Sequence, residues 1–215
     1  MPVLKSKDHK DSSKNTKPAA TAKKANALQI SNTRRTALIA TLAALCIGTN
    51  YVLLPLPNVN LMDAIVFTTS LFFGVIPGAA VATISWLVYG TLNPFGLSLP
   101  VLITVIISES IYVLAGRLVR KTSSGNSKSN FRGLERNLIY GTTGLFATLA
   151  YDFITNAIVG LVVYKSIWIG LLTMNFPIPL GIIHEASNFF FFATVAPILV
   201  RVLEKTQSTQ NGIWR

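Results

Sequence analysis

The sequence predicts an all-α membrane protein, a six-transmembrane-helix bundle with both termini cytoplasmic. Three observations lead there. Charged residues make up 13% of the 215-residue chain, well below the roughly 25% usual in soluble domains. The charges are also segregated: nine of the nineteen Lys and Arg precede Thr36, six lie from Arg117 to Arg136, and three follow Val200, leaving only Lys165. The blocks between them are long and apolar, without the two-residue alternation of a membrane β-barrel. The net charge of +11 therefore reflects basic links between spans, which favour the cytoplasmic side and its anionic lipid. It points to a lipid bilayer as partner and to no nucleic acid. Cys46 is the only cysteine and lies in an apolar segment, which excludes an intrachain disulfide and a thiolate metal cluster.

Residues 1–35 are rich in Lys, Ser, Ala and Asn, with too little apolar surface to pack, and read as a disordered basic cytoplasmic tail. The apolar block 36–54 has spanning length and no small-residue cleavage site after it, so it reads as a retained first helix. Pro55 and Pro57 end it. A long apolar run follows at 61–92, with a fault at Gly74-Val75-Ile76-Pro77-Gly78. Then come an apolar block at 98–119, a polar loop at 121–133 and a further block at 137–164. A partly apolar link carrying Trp168 and Met174 leads to a last helix, opened by Pro177 and Pro179 and running to about 203. The transmembrane domain is thus 36–204, and 205–215 is a short cytoplasmic tail.

Charge parity decides how the faulted run is threaded. The tail, the 117–136 link and the C-terminus are all basic, so all three belong on the cytoplasmic side. The faulted run must then cross an even number of times: helices at 61–73 and 78–92, turned at Gly74…Pro77-Gly78. Each is shorter than the ~20 residues that usually span. A re-entrant hairpin satisfies the same parity. A single Pro-kinked helix breaks it, because Arg117 would fall outside.

Asp63, Glu109, Asp152, Glu185 and His184 fall within spans, and no Lys or Arg does. An ionisable group in a bundle is costly, so each is a site candidate. Topology places Asp63, Tyr89, Asn93, Asp152, Asn156, His184, Glu185 and Asn188 towards the outer side, below short outer loops that carry Asn58 and Asn60. Thr148, Asp152 and Asn156 repeat at four-residue spacing and form one polar stripe, and His184, Glu185 and Asn188 share a second. Two stripes at matching depth describe a pocket for a polar organic molecule. Structural roles compete at several positions. Asn60 with Asp63 also fits an N-cap and third-position acid, Asn93-Pro94 also fits a turn, and Tyr89 and Trp86 also fit an interfacial belt. Glu109, between Ser108 and Ser110, fits an interhelical hydrogen-bond partner better than a ligand group. His184 and Glu185 also fit a mutually satisfied buried pair. Ala40, Ala44 and Gly48 form a small-residue stripe suited to close helix approach, either by a partner or within the bundle. Gly141 and Gly144 have a similar pattern.

Several segments together resemble the substrate-binding S component of energy-coupling factor (ECF) transporters. They are Pro57-Asn58-Val59-Asn60-Leu61-Met62-Asp63, Phe73-Gly74…Pro77-Gly78-Ala79, Tyr89-Gly90…Asn93-Pro94-Phe95-Gly96 and Tyr151-Asp152-Phe153-Ile154-Thr155-Asn156. The resemblance covers the six helices and leaves the N-terminal tail unmatched. It implies a multi-pass cell-membrane protein that binds a small water-soluble micronutrient of vitamin type near its outer face. It further implies docking on a transmembrane scaffold subunit driven by two ATPase subunits, with Ala40 and Ala44 matching the family's helix-1 docking stripe. The mix of Asp152, His184 and Glu185 matches no particular vitamin. No phosphate-binding G-x-x-x-x-G-K-[ST] loop is present, and His184-Glu185 lacks the second His of a zinc protease. The expectation is therefore no enzyme, no catalytic residue, no metal and no cofactor. A self-sufficient proton-coupled carrier relaying through Asp63, Asp152, His184 and Glu185 is the alternative.

Overall fold

In the computed structural model, which describes the backbone of residues 17–92, 94, 96–125 and 133–212, the described residues form helices and no strand. They are α1 (Lys17–Leu53), α2 (Met62–Phe73), α3 (Val75–Thr91), α4 (Leu99–Ser108), α5 (Ser110–Gly125), α6 (Leu134–Val159), a π-helical segment (Gly160–Tyr164), α7 (Ile167–Thr173) and α8 (Leu180–Gly212). Four stretches are long and apolar enough to cross a membrane: Thr33–Leu53, Leu99–Thr122, Leu134–Tyr164 and Leu180–Lys205. Helices α2 and α3 are apolar but shorter. Large apolar side chains such as Ile103, Ile107, Leu114 and Leu118 stay exposed along α4 and α5. A soluble protein rarely tolerates so extensive an apolar surface, whereas lipid solvates it.

The chain divides into two units, Met1–Leu38 and Ile39–Arg215. In the first, residues 1–16 of the expected tail lie outside the described residues, and the backbone is helical from Lys17. The cause is local: Ala and Lys are strong helix formers, and Pro18 suits a first turn.

In the second unit, α2 is the buried centre. Every residue from Met62 to Ser70 is buried, with α3, α5 and α8 packed around the helix. The fault is narrower than the sequence suggested. Gly74 alone breaks the run, at φ 97°, a left-handed value that glycine adopts without steric cost. Pro77 then lies inside the first turn of α3, where its missing N–H costs nothing. The run therefore forms two helices, not one kinked helix.

Three further boundaries depart from expectation. The block 98–119 is interrupted at Glu109, between α4 and α5. The link after α6 contains α7, whose N-cap Ser166 accepts from Ile169 N at 3.4 Å. Pro177 and Pro179 precede α8 and do not open it; α8 starts at Leu180 and is helical through Gly212, across most of the expected tail.

Helix α1 presents two faces in this unit. Leu42, Ala43, Cys46 and Asn50 are buried, while Ala40, Ala44 and Gly48 are exposed. The small-residue stripe thus points away from the bundle. Gly141 and Gly144 do the opposite: a Cβ at Gly144 would clash with the Phe192 ring of α8, and one at Gly141 would lie 3.0 Å from Phe189. They permit the close packing of α6 against α8.

Candidate functional site

The two predicted polar stripes meet in register across the antiparallel pair α6 and α8. Asn188 Nδ2 donates to Thr148 Oγ1 at 2.7 Å. One turn closer to the start of α8, His184 Nδ1 lies 2.9 Å from Asp152 Oδ1. The Gly144–Phe192 contact continues the same register in the other direction. Helix α2 supplies the third side: His184 Nε2 lies 2.9 Å from Asp63 Oδ2, which also accepts from Asn188 Nδ2 at 2.7 Å. Helix α5 adds Tyr112, whose hydroxyl donates to Thr148 Oγ1 at 3.1 Å. Asp63, Asp152, His184, Thr148 and Asn188 are all buried.

His184 therefore sits between two carboxylates, with both ring nitrogens engaged. A neutral imidazole carries one N–H, so the two contacts together require one additional proton, on the ring or on a carboxyl. An imidazolium with both acids ionised gives every contact a donor and leaves the triad one negative charge in excess. Among the described residues, the ion pairs of Asp63 and Asp152 run to His184 and not to a Lys or Arg. Breaking a buried set of this kind from one side is expensive, because the remaining charge is stranded.

A cavity of about 250 Å³ opens beside this triad. Asp152 and His184 line it, together with Asn58, Asn60, Asn156, Trp86, Tyr151 and Met174. Local features aim these groups. Asn58 adopts φ 58°, a conformation Asn tolerates better than most residues, and its amide donates to Leu180 O at 2.8 Å. That bond ties the α1–α2 loop to the start of α8. Asn156 Nδ2 donates to Asp152 O one turn back, at 2.8 Å. Gly160 and Gly170 touch where any side chain would clash, which folds α7 against the π-helical segment and brings Thr173 and Met174 to the cavity wall. The indole of Trp86 donates from Nε1 to Glu109 Oε2 at 2.9 Å. Glu109 is thus the interhelical partner expected from sequence.

The remaining predicted residues sort clearly. Asp63 and Asn188 lie behind the wall and support it. Leu61 occupies the N-cap of α2, with no side-chain cap bond, so Asn60 is not the cap; it lines the cavity instead. Tyr89 is buried away from the cavity, edge-on to Tyr51 and Trp86 at centroid distances of 5.4 and 5.9 Å. Glu185 is half-buried, and none of the triad's hydrogen bonds reaches it. Its position one residue past His184 turns it about 100° round α8, so the His184–Glu185 pairing is replaced by pairing to Asp63 and Asp152. Asn93 lies outside the described residues. Sequence reasoning missed Tyr151 and Thr155, which flank Asp152, and Thr173 and Met174, which a short helix brings back. Trp86, which the sequence also fitted to an interfacial belt, lines the cavity and pairs with Glu109. Among the described residues, no group of three or more His, Cys, Asp and Glu is disposed to hold a metal ion.

At the opposite end of the bundle, Arg120 Nη1 donates to Phe72 O at 3.3 Å, at the end of α2. Arg117, Lys121 and Arg136 lie towards that same end of α5 and α6. The cavity and the basic links therefore occupy opposite ends.

The family model for the ECF-type riboflavin transporter S component matches residues 30–205. The chain belongs to this family. No curated protein and no solved structure matches. An ECF S component is a transporter subunit that binds a small molecule in the membrane and is not drawn from an enzyme family. Membership and the apolar helices together make the chain a multi-pass membrane protein with a role in vitamin uptake.

Proposed function

We propose that this S component captures riboflavin in the cavity beside Asp152 and His184 and delivers it by docking on a scaffold subunit carrying two ATPase subunits. The family match across residues 30–205 carries this reading, and the cavity supplies chemistry suited to a flavin. Trp86 and Tyr151 offer apolar faces for a tricyclic ring. Asn58, Asn60, Asn156 and Asp152 offer partners for the imide and for the hydroxyls of the ribityl chain. The cavity of about 250 Å³ lies below the roughly 300–1,000 Å³ typical of drug-sized sites, so a flavin would fill it and extend to the Asn58–Asn60 rim.

The arrangement in the cell membrane follows from charge. Placing the basic links in the cytoplasm turns the cavity outward. That gives six crossings, with α2 and α3 as a short buried pair, both termini inside, and 36–204 as the binding domain between two cytoplasmic tails. The exposed Ala40, Ala44 and Gly48 stripe on α1 is then the scaffold-docking face, since it lets a partner helix approach closely. Energy comes from the ATPase subunits.

The test is riboflavin titration of the purified full chain in detergent, followed by flavin fluorescence. Saturable binding at one site per chain is expected. Asn156→Ala, which leaves the triad intact, should remove it without unfolding the protein. Absence of flavin binding by the wild-type chain would overturn the reading.

A further inference from the structure

Among the described residues, three acids are buried, Asp63, Asp152 and Glu109, and the His184 triad accounts for the first two. Glu109 has no exposed surface and does not line the cavity. An ionisable group in such a place is costly, and the bonds of Glu109 show what that cost supports. Its side chain has one partner: Oε2 accepts from the Trp86 indole Nε1 at 2.9 Å, while Oε1, equally buried, has none. Its backbone is pinned on both sides of the α4–α5 break. The N–H donates to Val105 O at 2.9 Å, and the carbonyl accepts from Tyr112 N at 3.1 Å. Trp86 and Val105 both line the cavity, and the Tyr112 hydroxyl belongs to the Thr148–Asn188 network. Glu109 therefore meets the wall from behind at two points and ties it to the polar core.

Trp86 needs such a hold. It is half-buried, so packing restrains only part of it, and its ring contact with Tyr89 is edge-on at 5.9 Å between centroids. A side chain in an open wall has several staggered orientations, and a fixed acceptor behind the indole selects one of them. We infer that Glu109 is a positioning residue for the ligand: without touching it, Glu109 holds the Trp86 indole in the orientation in which it meets a ring in the cavity. The inference rests on the flavin reading only for its binding probe.

The experiment uses the full chain in detergent with Trp168 and Trp214 replaced by Phe, so that Trp86 is the one tryptophan. It reads the fluorescence anisotropy decay of Trp86 without ligand, and the affinity for riboflavin. Glu109→Leu, of similar size but without an acceptor, should add a fast component to the decay. It should also weaken riboflavin roughly 2- to 10-fold, the worth of one well-placed aromatic contact. Glu109→Gln, which keeps an acceptor at the same length, should rescue both. If Glu109→Leu does not fold, Glu109→Ser, too short to reach the indole, takes its place. Trp86→Phe removes the N–H, so adding Glu109→Leu to it should weaken riboflavin no further. A merely structural acid would weaken binding equally in the two backgrounds. An unchanged anisotropy decay in Glu109→Leu overturns the inference, as does an unchanged affinity or an equal loss in the Trp86→Phe background. If the wild type binds no riboflavin, the flavin reading falls, and the anisotropy decay alone decides whether Glu109 positions Trp86.

Discussion

His184 holds together three helices through two ring nitrogens, so its replacement tests the site at the level of single atoms. His184→Ala should strand Asp63 and Asp152 as buried, unpaired acids and lower stability by about 3 kcal/mol or more, measured by thermal unfolding in detergent. Asp63→Asn retains an oxygen for His184 Nε2 and should fold and bind nearly normally, whereas Asp63→Ala should lose both. If Asp63→Ala binds as the wild type does, Asp63 has no part in positioning His184. Sequence went far here. The four-residue repeat of Thr148, Asp152 and Asn156 put the three on one face of α6, because helical spacing alone fixes which residues share a face. It misjudged Glu185, since adjacency to His184 in sequence means a turn of about 100° on a helix. It could not pair His184 with Asp63, because the two are 121 residues apart and only packing joins them.

Among the elements, the α6–α8 contact and the central α2 carry the site. Gly144 lets the Phe192 ring seat against α6, one turn beyond the Thr148–Asn188 bond. Gly144→Ala should overpack that contact, at a cost of about 1–3 kcal/mol, and weaken ligand binding by pulling the two polar stripes out of register. Unchanged unfolding and binding would show that the contact yields freely. Two short helices in place of one kinked helix were legible from charge parity, but the break itself was not. The pentapeptide fault spans five residues in sequence, whereas the backbone needs only one left-handed glycine, at Gly74. Helix α7 was invisible because its role depends on Gly160 meeting Gly170, a contact between residues that carry no side-chain pattern.

At the scale of the whole molecule, the cavity lies at one end, the basic links lie at the other, and a stripe of small residues faces outward on α1. Ala44→Leu should leave flavin binding intact while abolishing co-purification with the scaffold and ATPase subunits. Unfolding of this variant would instead mark the stripe as internal packing, against its exposure. The apolar blocks and basic links were readable because membrane insertion depends on composition and charge more than on packing detail. The central claim is that a flavin occupies the cavity beside Asp152 and His184, where Trp86 forms part of the wall. Its most direct measurement is the fluorescence of a chain in which Trp168 and Trp214 are replaced by Phe, leaving Trp86 as the sole tryptophan. Riboflavin should quench that emission saturably, at one flavin per chain. Saturable flavin binding with the Trp86 emission unchanged would place the ligand elsewhere and contradict the account.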